Sequence, residues 1–211
     1  MTQIAFLLYP LMTALDFVGP YEVLSRLPGA EVRFIASQPG PITTDVGLVV
    51  HAPDGLDEVP SPDIVVVPGG PGTFPALSDE RALAWLRQVH LTTRWTASVC
   101  TGSLLLGAAG LLDGRRATTH WIAHNQLSRF GAEPTDKRVV MDGRIITAAG
   151  VSAGIDMALT LAAAEAGEDE ARALQLVIEY DPQPPYNAGS VGTAGDDTRR
   201  RASELMMPGP S

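Results

Sequence analysis

The chain has 211 residues, 45% hydrophobic and 18% charged, with a formal net charge of -9 at pH 7. That length suits one α/β domain with a sizeable core, and the composition excludes a disordered protein. The acidic balance argues against electrostatic capture of nucleic acid. A single cysteine excludes an internal disulfide, so a soluble cytoplasmic protein is expected.

Gln3 to Tyr9 is a continuous apolar run ended by Pro10, the pattern of a strand buried on both faces. No basic segment precedes it and no small-residue cleavage site follows, so it reads as a first strand rather than a secretion signal. Leu15 to Leu24 reads as a helix with Asp16 at the N-cap and Pro20 in its first turns. Glu31 to Ser37 predicts a second strand, and residues 40–52 predict a short hairpin at a sheet edge. Asp63 to Pro68 predicts a central strand that runs into Gly69-Gly70-Pro71-Gly72. Ala82 to Val89 has the period of an amphipathic helix.

Ala97 to Val99 predicts a strand that stops at Cys100, and Leu104 to Ala109 predicts a helix just after it. Thr118 to Trp121 leads into a helix through Leu127, with Gly131 beyond it. Arg138 to Met141 and Arg144 to Thr147 form a hairpin about an Asp142-Gly143 turn. Ser152 caps a helix over Ala153 to Ala166, and another runs from Glu168 to Tyr180. From Asp181 onward proline and glycine replace apolar residues. Residues 191–211 are expected as a surface or partly disordered tail after a domain of residues 1–190, with Arg199 to Met207 as a frayed helix. No segment approaches the ~20 uninterrupted apolar residues of a membrane span.

Strands alternating with helices imply a doubly wound, mainly parallel sheet with helices on both faces, whose site lies beyond the carboxyl ends of the strands. A strand that turns directly into a helix with a thiol at the bend is a nucleophile elbow. N–H groups of the new helix then point at Cys100 and are expected to lower its pKa. A lone cysteine is also commonly a small buried hydrophobe. Asp16, after the first strand, is the candidate proton partner, or else a plain helix cap. The N–H groups of Gly70 and Thr101 are candidates for an anion-stabilising pocket, although Gly-Gly-Pro-Gly is also simply a turn signal. His120 and His124 lack the intervening carboxylate of a zinc hydrolase, so His120 reads as structural and no metal is expected.

At these residues the sequence resembles the DJ-1/PfpI superfamily. The features that carry it are the first strand with an acid after it, the Val67-Pro68-Gly69-Gly70 turn and the Cys100 elbow. The likeness extends to Asn187–Ser190. Within the superfamily the isocyanide-hydratase branch is most similar, through Leu15–Pro20, Ser98–Leu112, Arg116–Trp121 and Glu179–Ser190. Many members carry Glu near the elbow where this chain carries Asp16. PfpI-type proteases carry His where this chain carries Thr101, which argues against a peptidase. The resemblance implies a homodimer of flavodoxin-like subunits with a Cys100–Asp16 site near the interface and no metal or organic cofactor. It further implies hydration of an isocyanide to an N-substituted formamide. Cys100 would form a covalent thioimidate, Asp16 would move protons and direct water, and the N–H groups of Thr101 and Gly70 would steady developing charge.

The alternatives are a cysteine redox sensor or stress protein of the same fold, or a glyoxalase-like or amidase-like relative. The chain also resembles sensor domains fused to helix-turn-helix modules. Its end at Ser211 is taken to leave no room for such a module.

Overall fold

The structure, a computed structural model, describes Met1–Met206; Met207, the last residue of the expected terminal helix, and residues 208–211 lie outside the described residues. The chain divides into two compact units, Met1–Ile178 and a second that begins at Glu179. The strands are β1 (Thr2–Leu7), β2 (Ala30–Ala36), β3 (Gly40–Thr43), β4 (Val49–Ala52), β5 (Asp54–Gly55), β6 (Ile64–Val67), β7 (Trp95–Val99), β8 (Arg116–Ala117), β9 (Glu133–Pro134), β10 (Val139–Asp142) and β11 (Ile145–Ala148). The α-helices are α1 (Ala14–Leu24), α2 (Thr73–Ala76), α3 (Glu80–His90), α4 (Gly102–Ala108), α5 (Ala153–Ala166), α6 (Glu168–Val177) and α7 (Asp196–Met206).

A seven-stranded sheet runs in the order β10-β11-β7-β6-β1-β2-β5. Every pairing in it is parallel except that of β10 with β11. Phe6 of β1 stands opposite Phe34 and Val66, and Ser98 of β7 opposite Val67 and Thr147. That register brings the carboxyl ends of β1, β6, β7 and β11 to one edge. Ile4, Ala5, Phe6, Val65, Val66, Ala97 and Val99 are fully buried, which explains why these strands read as unbroken apolar runs. Each such Ile, Val or Phe contributes roughly 1.5–3 kcal/mol through burial.

Close helix contact also shapes the edge. α1 packs on α5 through glycines: a Cβ on Gly19 would lie 3.1 Å from Ile155 Cγ1, and one on Gly154 would lie 3.1 Å from Val99 and 3.2 Å from Pro20. α3 starts two residues earlier than its apolar period suggests, because Asp79 accepts the Ala82 N–H at 3.0 Å as an N-cap.

Four local expectations are corrected. The 40–52 hairpin forms, but β3 and β4 pair only with each other; two-residue β5 closes the edge beside β2 instead. Residues Trp121–Phe130 wind as a 3-10 helix, ended by Gly131 at φ 73°. Ser152 sits at the start of α5 without capping it, because its hydroxyl accepts from the Arg138 guanidinium at 3.2 Å. α6 stops at Val177 rather than Tyr180, and Glu179 takes a φ of 49° that no helix tolerates. In the second unit α7 is a helix laced by Arg–carboxylate pairs such as Arg200–Glu204 at 3.0 Å.

Candidate active site

Cys100 holds the left-handed conformation, φ 57°, which costs a non-glycine residue roughly 1–2 kcal/mol. Hydrogen bonds at both ends of the residue hold it there. Its N–H donates to the carbonyls of Ala148 and Ala149 at 3.1 and 3.0 Å, and its carbonyl accepts from the hydroxyls of Thr119 at 2.9 Å and Ser103 at 3.2 Å. Gly102 permits the sharp entry into α4, because a Cβ there would lie 2.2 Å from the Val67 carbonyl oxygen. The elbow expected from the sequence is therefore present. Backbone N–H groups of Thr101 and Val151 both face the sulfur. Val151, itself at φ 39°, carries no signal in the sequence that marks it for this place.

Asp16 is not the N-cap of α1. Thr13 occupies that position, and its hydroxyl donates to Asp45 Oδ2 at 2.6 Å across from the β3–β4 ribbon. Asp16 lies in the first turn, completely buried. Its Oδ2 accepts the Gly69 N–H at 2.9 Å, and the Cys100 thiol bonds to the same carboxyl. Its Oδ1 is buried without a hydrogen-bond partner. Position removes the cap reading, since Thr13 stands at the N-cap and the Asp16 carboxyl is engaged by Gly69 instead of by its own helix.

Burial lifts the Asp16 pKa to about 7, against the Gly69 N–H and the Cys100 bond, with the Asp45 charge adding to the rise. The thiol is displaced upward too, first by burial and then by the Asp16 charge. The N–H groups of Val151 and Thr101 oppose this but do not reverse it. The expected lowering by the helix N-terminus is thus corrected. α4 is short, Cys100 is 4% exposed, and a carboxyl sits beside it, so desolvation outweighs the dipole. The pair therefore holds two protons below about pH 7, as a thiol beside a carboxylic acid, and one above it, as a thiol beside a carboxylate.

The glycines of the 69–72 turn are demanded by crowding. A Cβ on Gly69 would lie 2.4 Å from the Thr101 nitrogen, and one on Gly72 would lie 1.9 Å from the Pro10 carbonyl. Three strand ends converge here, and only bare backbone fits between them. The Gly70 half of the expected anion pocket is corrected, because the Gly70 N–H donates to Thr101 Oγ1 at 2.8 Å. The Thr101 N–H is turned to the sulfur instead.

Sequence reasoning missed two further groups. Tyr9 donates its phenol proton to the Pro68 carbonyl, and the fully buried Thr73 hydroxyl lies 3.0 Å from Tyr9 and 2.8 Å from Thr101 Oγ1. Tyr9 was legible only as the last residue of a strand. His120 accepts the Ile122 N–H on Nδ1 at 3.4 Å, and its ring lies where a Gly150 side chain would be. Burial lowers its pKa, which keeps it neutral in a structural place. His124 faces Asp136 at 3.4 Å. Among the described residues no three His, Cys, Asp or Glu side chains converge as a metal site would require, and no helix is long and apolar enough to cross a membrane.

Comparison with known proteins fits this geometry. The chain is 45% identical to an isonitrile hydratase of Pseudomonas putida, over 97% of its own length and 91% of the relative's. It is 31% identical to the HTH-type transcriptional regulator CdhR of Pseudomonas aeruginosa, across 84% of its length but only 53% of that protein. The crystal structure of a ThiJ/PfpI family protein from Pseudomonas syringae superposes with a TM-score of 0.93 at 42% identity, covering 97% of this chain and 85% of that one. Residues 2–164 match the family model for DJ-1/PfpI, and the chain belongs to the DJ-1/PfpI family.

Proposed function

We propose that the chain hydrates organic isocyanides, R–N≡C, to N-substituted formamides, with Cys100 as nucleophile and Asp16 as proton carrier. The observation that carries this reading is a buried thiol bonded to a buried carboxylate that titrates near neutrality. It stands in a chain 45% identical to a protein named for this reaction.

The pair suits the chemistry because a carboxyl of pKa about 7 both takes and gives a proton at working pH. Asp16 accepts the thiol proton as the sulfur bonds to the terminal isocyanide carbon, and then returns that proton to the same carbon. The product is the thioimidate R–N=CH–S–Cys100. The ionised carboxylate next takes a proton from water as the water oxygen bonds to that carbon, and the nitrogen receives the proton. Asp16 Oδ1, without a protein partner, is the oxygen free to accept from water. Loss of the hydroxyl proton with cleavage of the C–S bond releases R–NH–CHO and the thiol, so the sum is isocyanide plus water. The N–H groups of Thr101 and Val151 steady charge on the sulfur while it is a leaving group. Gly70 serves instead by holding Thr101. No step calls for a metal or organic cofactor.

The reading includes a cytoplasmic homodimer. Leu11, Leu15, Phe74 and Ile122 are large apolar residues more than 40% exposed, and burial against a second copy would cover such surface. Similarity to transcriptional regulators supports a second reading, a cysteine sensor without turnover. The upward-shifted thiol counts against it, because oxidation by peroxide requires a thiolate.

The test is incubation with an aromatic isocyanide, reading formamide by chromatography. Formation that depends on Cys100 is expected. No formamide, together with rapid peroxide oxidation of Cys100, would favour the sensor.

A further inference from the structure

The Pro68–Gly69 peptide joins the site to a group that no step above uses. Its N–H is the donor that holds Asp16 Oδ2, and its carbonyl accepts the phenol proton of Tyr9. Both contacts act on one planar unit, so what fixes the carbonyl also aims the N–H. A hydrogen bond on the carbonyl further polarises the N–H as a donor.

The hydroxyls behind Tyr9 have only one consistent direction. The phenol has a single proton, committed to Pro68, so at 3.0 Å it accepts from Thr73. Thr73 has then spent its proton, and at 2.8 Å it accepts from Thr101. The Thr101 oxygen in turn accepts the Gly70 N–H, a group that can only donate. The Gly70 carbonyl lies farther from Thr101 Oγ1, at 3.2 Å, and already accepts the Thr73 N–H at 3.0 Å. The chain therefore begins at the Gly70 N–H and ends at the Pro68 carbonyl, closing a ring around Gly69. Tyr9, Thr73 and Thr101 are each at least nine-tenths buried, so water does not compete for these bonds.

We infer that Tyr9 and Thr73 are positioning residues, whose hydroxyls form a one-way chain that locks the Pro68–Gly69 peptide with its N–H on Asp16. The inference rests on the Cys100–Asp16 pair being the reacting pair. The titratable groups that face Asp16 are Cys100 from the elbow, Asp45 from the β3–β4 ribbon and Tyr9 from the segment after β1. Burial holds the Tyr9 phenol neutral, so its action on Asp16 runs through the peptide and not through charge.

The experiment follows the pH dependence of Cys100 alkylation by iodoacetamide, which needs no isocyanide. The unmodified chain is expected to show an acid limb near 7, where Asp16 ionises. In Tyr9→Phe the Gly69 N–H loses its hold, and the limb moves upward by roughly half a unit. Thr73→Val moves it the same way by less, and Thr73→Ser restores it. A mere loss of stability would change none of these positions. A folded Tyr9→Phe protein whose limb stays in place overturns the inference. Should Tyr9→Phe not fold, an unmoved limb in Thr73→Val does the same. In the unmodified protein the Tyr9 and Thr73 hydroxyl protons should exchange slowly with water by NMR, and fast exchange would remove the chain whatever the variants do. Failure to form formamide alongside a shifted limb would sink the proposed reaction and leave the clamp standing.

Discussion

The two ends of the sheet spend polar groups in opposite ways. At the carboxyl end Asp16, Tyr9, Thr73, Thr101 and Cys100 are buried, and their neighbours are bare backbone and hydroxyls. At the amino end Arg94 lies 2.8 Å from Asp63, pairs with Glu165 and donates to Thr2 at 3.1 Å, with 45% of its side chain in solvent. Asp63 there also accepts the Gln3 N–H at 2.8 Å. Water can replace any one of those partners, whereas nothing replaces a lost partner at the other end. A hydrogen bond therefore belongs to a tolerant region at the amino end and to an intolerant one at the carboxyl end.

The sharpest break in that contrast is Cys100→Ala. It should abolish formamide formation while leaving the fold intact by circular dichroism; retained activity would end the proposed mechanism. Next in size is Gly102→Ala. Its new Cβ would lie 2.2 Å from a carbonyl oxygen, so urea unfolding should show a loss of roughly 3 kcal/mol or more. A wild-type midpoint would mean that the strand ends are looser than described.

Asp16→Asn keeps an acceptor for Gly69 but removes the proton carrier, so kcat should fall on the order of 10²-fold. The same replacement alters the pH dependence of stability. Because the folded pKa of Asp16 is raised, its stabilising effect is complete below the unfolded value near 4 and is lost as pH rises through about 7. The melting temperature of the wild type should drop several degrees relative to Asp16→Asn between pH 4 and 8; parallel curves would contradict a buried, neutral-leaning carboxyl. The catalytic sign is the reverse. Proton abstraction needs the ionised form, so kcat/KM should fall about tenfold per unit below pH 7. The smallest effect belongs to the amino end, where Arg94→Ala should cost about 1 kcal/mol or less and leave turnover unchanged. A larger loss would show that the exposed cluster is not replaceable by water.

Much of this fold was legible because its signals are local. The β1, β6 and β7 runs are apolar throughout since both faces of each strand are covered. Asp142-Gly143 marks its turn, with Gly143 at φ 60°, and the thiol at a strand's end marks the elbow. Cys100 and Asp16 stood out as the two chemically able residues following strands. The misreadings share a different origin. Asp16 looked like a cap because Asp before an apolar period usually is one, and only the path of the Gly69 backbone shows where its carboxyl turns. Thiolate stabilisation was expected from the helix start, and the burial that outweighs it depends on everything folded around the sulfur. Val151, Tyr9 and Thr73 left no mark, for a backbone N–H and two ordinary hydroxyls acquire a role only from their neighbours.

By itself, then, the order of residues determined which segments become strand or helix and which atoms can act as nucleophile and proton carrier, since both follow from side-chain chemistry and short-range period. Tertiary structure alone decided who holds the shared proton, which N–H faces the sulfur and which is already engaged. Those outcomes depend on desolvation and on contacts between residues some 30 to 60 positions apart, as Gly70 with Thr101 and Gly69 with Asp16 illustrate.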